Sequence, residues 1–268
     1  MDVASTPARP RVLATTASLL LSPLDWVISA FADAGFGGFE LLVSQEPETR
    51  DPARVARLAD AAGLDVPAVH GPYMLLLRNV LGTSYAGKTR KSLEIAAELG
   101  ATTMVAHAPF RWERKALSWL PEADDVADEI GPRFAMENLY PVRGRNYYSA
   151  VMPEELTAFR HVVFDTSHFA VAGVDLFEAW DILGDRVVHL HVSDNLGTGK
   201  DNHAPIGEGV LPLEAFLGHV GATGYTGTVT LELDCRAHLD TRERLVAFLA
   251  GERCKAERLL AGHVEPAT

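Results

Sequence analysis

The sequence contains few cysteines and no long apolar run, and both absences restrict where the protein can work. Only two cysteines, Cys235 and Cys254, occur among its 268 residues, so neither a disulfide framework nor a zinc knuckle is expected. The amino-terminal segment lacks the apolar core of a signal peptide, and Ser22-Pro23 interrupts the apolar residues around Leu19–Leu21 too early for a bilayer span. We therefore expect a cytoplasmic, soluble protein without a membrane partner.

Positive charge is also scarce. The formal net charge is −12, which argues against a surface that binds nucleic acid or anionic lipid in general. No G-x-G-x-x-G fingerprint follows the first predicted strand, so a dinucleotide cofactor is not indicated. The 47% hydrophobic and 22% charged content is that of an ordinary globular protein, and the length allows one large domain or two small ones.

Strand-like apolar runs and helix signals alternate along the whole chain. Strands are predicted at residues 11–15, 39–43, 64–70, 102–107, 133–137, 161–165, 186–192 and 228–232. Helices are predicted at residues 23–34 (with Ser22 as N-cap), 51–62, 85–99, 113–130 (with a break near Pro121), 153–159, 174–183, 213–220 and 241–260. Eight such units in about 250 residues predict an α/β fold, a single (β/α)8 TIM barrel. We assign residues 11–262 to the barrel domain, residues 1–10 to a flexible leader and residues 263–268 to a tail.

The segment at residues 186–209 places several potential ligands close together in sequence. His189 and His191 alternate on a predicted strand, so both side chains point to the same face. After a loop that contains glycine and asparagine, Asp201 and His203 lie two residues apart, where they can direct two donor atoms at one point. Imidazole nitrogen and carboxylate oxygen together suit a divalent cation such as Zn, Mn, Co or Mg.

Acidic and histidine side chains occur at the carboxyl ends of most predicted strands. The residues at these ends are Glu40, His70, His107, Glu137, Asp165, His191 and Glu232, and the loops just beyond add His168, Asp201 and His203. In a barrel these ends meet at one mouth, where such folds keep their catalytic residues. So many ionisable groups would repel one another without a cation to neutralise them. We therefore predict a centre at this mouth that binds one to three divalent ions.

Six motifs at these strand ends resemble those of the xylose-isomerase-like TIM-barrel superfamily. They are HGPY (70–73), AHAP (106–109), MEN (136–138), FDTSH (164–168), HLHVSDN…KDNHAPIGEG (189–209) and LEL (231–233). The resemblance covers roughly residues 36–234. The superfamily contains sugar and sugar-phosphate isomerases and epimerases, and also the type-IV apurinic endonucleases.

Resemblance to the isomerases and epimerases implies a single metal site formed by Glu137, Asp165, His191 and Glu232. It also implies that Glu137 and Glu232 act as the acid/base pair. In that chemistry a divalent ion chelates a carbonyl and the neighbouring hydroxyl, one carboxylate removes a proton from carbon, and the ion stabilises the enediolate. His168 and Glu40 would then hold substrate hydroxyls.

Resemblance to the endonucleases implies a three-zinc cluster on a larger set of residues. One group matches His70, His107 and Glu137; Glu137 bridges to Asp165, His191 and Glu232; and the third group matches His168, Asp201 and His203. Clustered zinc ions would activate water for attack on a phosphodiester of abasic DNA. Tyr73 lies where that branch has a tyrosine, and we include it among the predicted substrate-binding residues.

Departures from the endonuclease pattern favour a sugar or sugar-phosphate isomerase or epimerase. The endonucleases have a His-x-Ser motif and paired glycines after the first strand, whereas this chain has TTAS at 15–18. Their fourth-strand motif is His-Pro-Gly, whereas His107 is followed here by Ala108-Pro109. The second strand, GFGGFELL, is similar to the isomerase-type barrels. A third interpretation, a metal-binding or assembly module without catalysis, is disfavoured because both Glu137 and Glu232 are present.

Basic and aromatic residues are interleaved in the loops predicted at the barrel mouth. They are Arg78, Arg111, Trp112, Arg114, Lys115, Arg143, Arg145, Tyr147 and Tyr148. Of these, Arg111, Arg143 and Arg145 are the predicted substrate contacts, because guanidinium groups bind the phosphate of a sugar or of a DNA strand. The alternative is an ordinary solvated rim. A homo-oligomer is an alternative to a monomer, although no stripe of residues on the predicted outer helices indicates a dimer surface.

Overall fold

A computed structural model describes residues 9–73, 77 and 79–262 of the chain. The predicted tail and residues 1–8 of the predicted leader lie outside these residues, and so does Arg78 of the predicted rim. The division into leader, barrel domain and tail therefore stays a prediction. All ten acidic and histidine residues predicted at the mouth lie within the described part of the chain.

Eight parallel strands form a closed barrel. They are β1 (Arg11–Thr15), β2 (Gly38–Leu42), β3 (Asp65–His70), β4 (Thr103–His107), β5 (Arg133–Glu137), β6 (His161–Asp165), β7 (Val187–Val192) and β8 (Thr228–Leu231). Each strand pairs with the next in the chain, and β8 pairs with β1, with Leu231 opposite Ala14. This closure confirms the predicted single (β/α)8 TIM barrel.

Helices connect the strands on the outside of the barrel. Within the described residues they are α1 (Leu24–Asp33), α2 (Pro52–Ala62), α3 (Tyr85–Glu98), α4 (Arg114–Trp119), α5 (Ala123–Ile130), α6 (Pro153–Leu156), α7 (Thr166–Ala172), α8 (Leu176–Leu183), α9 (Leu213–Ala222) and α10 (Arg242–Leu260). The predicted break near Pro121 is confirmed, because a short 3-10 helix separates α4 from α5. None of the described helices is long and apolar enough to cross a membrane.

One predicted helix cap was wrong, and one helix was missed. Ser22 is not the N-cap of α1, since Pro23 occupies that position and no side chain accepts a hydrogen bond there. Helix α7 was not predicted, and it begins directly after β6 because the Asp165 side chain accepts a hydrogen bond from the His168 backbone N–H. Asp165 therefore ends a strand and caps the next helix, which fixes its position relative to His168.

Small apolar side chains fill the barrel interior beneath part of the mouth. Side chains alternate along a strand, so the residue two positions before each strand-end ligand also points inward. At three such positions, Val105, Ala135 and Val163 are fully buried and pack together. A larger apolar cluster joins the strands to the surrounding helices, for example through Phe164 of β6 and Phe216 of α9. Apolar side chains therefore fill the barrel interior beneath the ends of β4, β5 and β6, and the candidate ligands lie directly above them.

Candidate metal centre

The strands bring the predicted residues to one mouth of the barrel. His70, His107, Glu137 and Asp165 are the last residues of β3, β4, β5 and β6, His191 is the penultimate residue of β7, and Glu232 follows β8 directly. The register places His107 beside Glu137 and Asp165 beside His191. Positions distant in sequence thus become neighbours because parallel strands end at the same edge.

Four of these side chains form a compact group of potential ligands. Glu137, Asp165, His191 and Glu232 each offer one ligand atom, and the four atoms lie within 4.8 Å of one another. His191 Nδ1 is 2.8 Å from Glu137 Oε1 and 3.3 Å from Glu232 Oε2. Its distance to Asp165 Oδ2 is 3.7 Å. Three carboxylates with one imidazole are a donor set suited to Zn, Mn, Co or Mg, so these residues can hold a divalent cation.

Two buried carboxylate oxygens support this fit. Asp165 Oδ1 accepts the His168 N–H at 2.7 Å, but Asp165 Oδ2 is buried and has no hydrogen-bond partner among the described residues. Glu137 Oε2 is likewise buried without a well-directed hydrogen bond, although histidine nitrogens approach it. A buried oxygen without a partner costs about 1–3 kcal/mol, more when it is charged. A cation bound between Glu137 and Asp165 would remove that cost.

The pKa values of two carboxyl groups in the centre are shifted because its charged groups are buried close together. Burial raises the pKa of Asp165 to about 7, with the charges of Asp201 and Glu137 adding to the rise against His168. Burial opposes the charge on Glu137, but His191 and His107 outweigh it and hold the pKa of that carboxyl well below its usual value. A divalent ion and protons would therefore compete for these carboxylates.

Two further histidines approach the second oxygen of Glu137. His70 Nε2 and His107 Nε2 lie 3.3 Å and 3.0 Å from Glu137 Oε2. The His70 ring is oriented by its Nδ1, which lies 2.7 Å from the Gly71 carbonyl oxygen. Glu137 thus faces His191 with one oxygen and this histidine pair with the other, an arrangement able to bridge two cations.

The remaining predicted ligands gather around Asp201. His168 Nε2 and His203 Nε2 lie 3.3 Å and 2.8 Å from the same oxygen, Asp201 Oδ2, while Ser167 donates to Oδ1 at 2.6 Å. His203 has a left-handed backbone, with φ of 47°. Despite burial, Glu232 and Asp201 raise the pKa of His203 to about 9. Asp201 is therefore held by the imidazole groups of both His168 and His203.

Glu40 lies elsewhere than predicted for a substrate contact. Its side chain is fully buried, and Oε2 accepts hydrogen bonds from His189 Nε2 at 2.7 Å and His191 Nε2 at 3.0 Å. Glu40 therefore lies behind His191 rather than beside the open cavity. His189 was noted in the sequence on the same strand face as His191 but was not placed among the predicted site residues, and its spacing of two from His191 was the available signal.

An open cavity of about 230 Å³ leads to the centre. It is lined by His70, Tyr73, His107, Glu137, Leu139, Tyr140, Tyr148, His168, Asp201, His203 and Glu232. Tyr73 donates a hydrogen bond to Glu232 Oε1 at 3.3 Å, so a predicted substrate contact also touches a predicted ligand. Leu139 and Tyr140 were not predicted, and their place just after the MEN motif of β5 was the signal for them.

Three arginines of the predicted basic rim are not part of the cavity lining among the described residues, whereas Tyr148 from the same loops is. Arg111 forms an ion pair with Glu155, and Arg143 and Arg145 are exposed. None of the three lines the cavity as the described residues define it. Their role in binding a phosphate stays a prediction.

Sequence comparison finds relatives that match most or part of this chain. It is 29% identical over 237 residues to an uncharacterized protein of Mycobacterium leprae, a match that covers 80% of this chain and 85% of the relative. It is also 29% identical over 184 residues to a probable endonuclease 4 of Enterococcus faecalis, covering 57% of this chain and 60% of that protein.

Solved structures share the fold at lower identity. A D-tagatose 3-epimerase-like protein superposes with a TM-score of 0.69 at 21% identity, covering 89% of this chain and 97% of the other. The IOLI protein with a bound zinc atom superposes with a TM-score of 0.72 at 16% identity, covering 92% and 98%. At these identities the likeness establishes the barrel architecture alone. A family model described as xylose isomerase-like TIM barrel matches residues 28–250, and this chain accordingly belongs to that family.

Proposed function

We propose that this protein is a divalent-metal-dependent isomerase or epimerase of a small sugar or sugar phosphate. The observation that supports this most directly is the group of four ligand atoms within 4.8 Å of one another, supplied by three carboxylates and one histidine. Two of those carboxylates, Glu137 and Glu232, also line the cavity that leads to the group. Metal binding and proton transfer can therefore occur at one place.

Glu137 and Glu232 are suited to act as the acid/base pair. They come from β5 and from the end of β8, three strands apart in the closed ring, so they reach the centre from different sides. One carboxylate can remove a proton from a substrate carbon while the other returns a proton to the opposite face or to the next carbon. Glu232 is the more accessible, since its side chain is 12% exposed and that of Glu137 only 1%.

The rest of the cavity is suited to a polyhydroxylated ligand. When bound, a divalent cation would polarise a substrate carbonyl and stabilise the negative charge that develops on oxygen. Tyr73, Tyr140 and His168 present hydroxyl and imidazole groups at the wall, where sugar hydroxyls can donate and accept hydrogen bonds. The volume of about 230 Å³ lies just below the range for small-molecule sites, roughly 300–1,000 Å³, which favours a monosaccharide. The D-tagatose 3-epimerase-like neighbour is consistent with this class of substrate.

The decisive experiment measures exchange at carbon. The metal-loaded protein is incubated with a panel of ketoses and ketose phosphates in deuterated water, and products are analysed by NMR and mass spectrometry. Conversion with solvent deuterium in the product is expected, and Glu232→Gln should lower kcat by about 100-fold or more. Full activity of Glu232→Gln would remove this residue from the acid/base pair. Glu252→Gln, a change at a buried glutamate of α10 outside the cavity, serves as the matched control.

An endonuclease-like zinc phosphodiesterase is the second candidate. It is favoured by the pair His70 and His107 on Glu137 Oε2, by the pair His168 and His203 on Asp201 Oδ2, and by the match to a probable endonuclease 4. This candidate requires about three zinc ions per chain and strand cleavage of a duplex with an abasic site. Metal bound without either activity would support the third interpretation, a metal-binding module without catalysis.

A further inference from the structure

Glu40 lies one layer below the mouth, inside the closed barrel. Its neighbour on β3 is Ala68, two residues before His70, so Glu40 stands at a lower level than the strand-end ligands. His189 lies at the corresponding lower level of β7, two residues before His191. Glu40, His189 and His191 are each fully buried. A carboxylate at such depth requires strong hydrogen bonds to offset its desolvation.

One carboxylate oxygen of Glu40 accepts hydrogen bonds from two imidazole groups. Oε2 lies 2.7 Å from His189 Nε2 and 3.0 Å from His191 Nε2. The other oxygen, Oε1, accepts a longer hydrogen bond of 3.4 Å from the Thr15 hydroxyl. An ionised carboxylate only accepts hydrogen bonds, so each imidazole must present an N–H at Nε2.

The two ring nitrogens of His191 have different hydrogen-bond partners. Nε2 faces Glu40, while Nδ1 faces the ligand group, 2.8 Å from Glu137 Oε1. A neutral imidazole has one N–H and one lone pair. When Glu40 holds the proton on Nε2, the lone pair of Nδ1 points toward the position of the cation.

His189 forms hydrogen bonds through both of its ring nitrogens. Its Nδ1 lies 2.5 Å from the Thr228 hydroxyl, and its Nε2 lies 3.1 Å from the Thr230 hydroxyl in addition to Glu40. Both threonines are on β8 and Glu40 is on β2, so the His189 imidazole of β7 is hydrogen-bonded to two other strands. His189 thereby fixes the position of Glu40 at the level beneath His191.

Use of the same three residues as a separate metal site is less consistent with these contacts. Glu40, His189 and His191 do place ligand atoms within 4.8 Å of one another. However, their nitrogen and oxygen atoms already bond to one another, to threonine hydroxyls or, in the case of His191 Nδ1, to Glu137. Glu40, His189 and His191 are also absent from the lining of the open cavity, as far as the described residues define it, so an ion has no direct entry path.

We infer that Glu40 is a positioning residue that acts through His191, holding its proton on Nε2 and so presenting Nδ1 to a divalent cation. The inference rests on the proposed metal-dependent function. Hydrogen bonds of this kind to a ligating histidine fix its tautomer and ring orientation, and their loss lowers metal affinity by about 10- to 100-fold. Glu40 therefore contributes to metal binding without touching the metal or the substrate.

Calorimetric titration of the metal-free protein with Zn²⁺ tests the inference. Glu40→Ala removes the acceptor and should raise Kd by about 100-fold, and Glu40→Gln keeps an oxygen and should raise it by about 10-fold. Glu252→Gln is the matched control, because Glu252 is buried and accepts a hydrogen bond from the Ile206 N–H at 2.8 Å but contacts none of the four ligands. A Kd for both Glu40 variants equal to that of the native protein would overturn the inference.

Nitrogen-15 NMR of the histidine side chains in the zinc-loaded native protein gives an answer that does not depend on a variant folding. The expected signature for His191 is a protonated Nε2 and a metal-bound Nδ1 with no proton. A proton on Nδ1, or zinc on Nε2, would contradict the inference. If the native protein binds no divalent cation at all, the proposed function itself fails, whereas normal metal binding with unchanged Glu40 variants rejects only the role of Glu40.

Discussion

Glu137 Oε1 and His191 Nδ1 lie 2.8 Å apart although 54 residues and a whole intervening strand separate them in the chain. Each residue also uses its second polar atom elsewhere, Glu137 Oε2 toward His70 and His107, and His191 Nε2 toward Glu40. The pair is therefore the point at which the ligand group, the additional histidines and the buried support meet. Changes at either residue should affect the whole centre.

Replacement of Glu137 by glutamine should abolish tight binding of divalent metal. The substitution keeps the volume but removes one of the carboxylates that face His191, and an amide is a poor ligand for Zn²⁺. We expect Kd for Zn²⁺ to rise by at least about 100-fold. Calorimetric titration and metal analysis of the dialysed protein measure the change. Retention of a full equivalent of metal after dialysis would exclude Glu137 as a ligand.

Metal affinity should depend on pH in a defined direction. Burial, with the charges of Asp201 and Glu137 adding to it, raises the pKa of Asp165 to about 7, so below that pH a proton competes with the cation for this carboxylate. The apparent affinity should therefore fall as the pH drops below 7, by about tenfold for each pH unit from the protonation of this carboxylate alone. Titrations with Mn²⁺ between pH 5.5 and 8.5 would show this, and a flat profile would contradict it.

Replacement of Asp201 by asparagine should separate the two candidate enzymes. Asp201 is outside the group of four ligands but holds both His168 and His203. For an isomerase or epimerase with one ion, the metal content should stay at about one equivalent, with a change mainly in KM through His168. For a trinuclear zinc site, the metal content should fall from about three zinc ions per chain to about two. Metal analysis by mass spectrometry distinguishes this fall from an unchanged content of about one ion.

Replacement of Gly209 by alanine should destabilise the loop that carries Asp201 and His203. A Cβ at this position would collide with Asp194 Oδ1 and with the Asn195 carbonyl oxygen. Asp194 in turn accepts hydrogen bonds from the Gly207 and Leu211 N–H groups, each at 3.1 Å, so the whole turn would have to shift. We expect a loss of about 1–3 kcal/mol in the free energy of unfolding.

Gly251→Ala is the matched control for that substitution. Gly251 lies within α10, and a Cβ there meets nothing within 4 Å. Alanine in a helix interior is favoured over glycine by up to about 1 kcal/mol, so this variant should be equally or more stable. Thermal unfolding compares the two, and equal melting temperatures for both variants would remove the steric argument for Gly209.

Several parts of the fold could be predicted because their signals are local. The strand residues 11–15, 133–137 and 161–165 coincide with β1, β5 and β6, and the break at Pro121 coincides with the boundary between α4 and α5. Helix α7 was missed because its start depends on the Asp165 side chain, which in sequence reads only as the end of a strand. The grouping of Glu137, Asp165, His191 and Glu232 also followed from the barrel, since parallel strands end at one mouth.

Other features depended on contacts that no local pattern contains. Arg111 reads as a phosphate contact in sequence, and the structure pairs it with Glu155 of α6. Glu40 reads as one more strand-end carboxylate, yet the register with β3 lowers it by a layer and places it behind His191. Neither outcome is visible in residue types or spacing, because each depends on how two distant segments meet.

The sequence by itself determined the repeated βα units and the polar residues at their ends, because backbone periodicity and helix capping act over a few residues. Only the tertiary structure decided which atom faces which, because closure of the barrel and the offset between neighbouring strands set the height and direction of every inward side chain. That offset makes Glu137 a ligand candidate at the mouth and Glu40 a support beneath it, although both are buried glutamates on barrel strands.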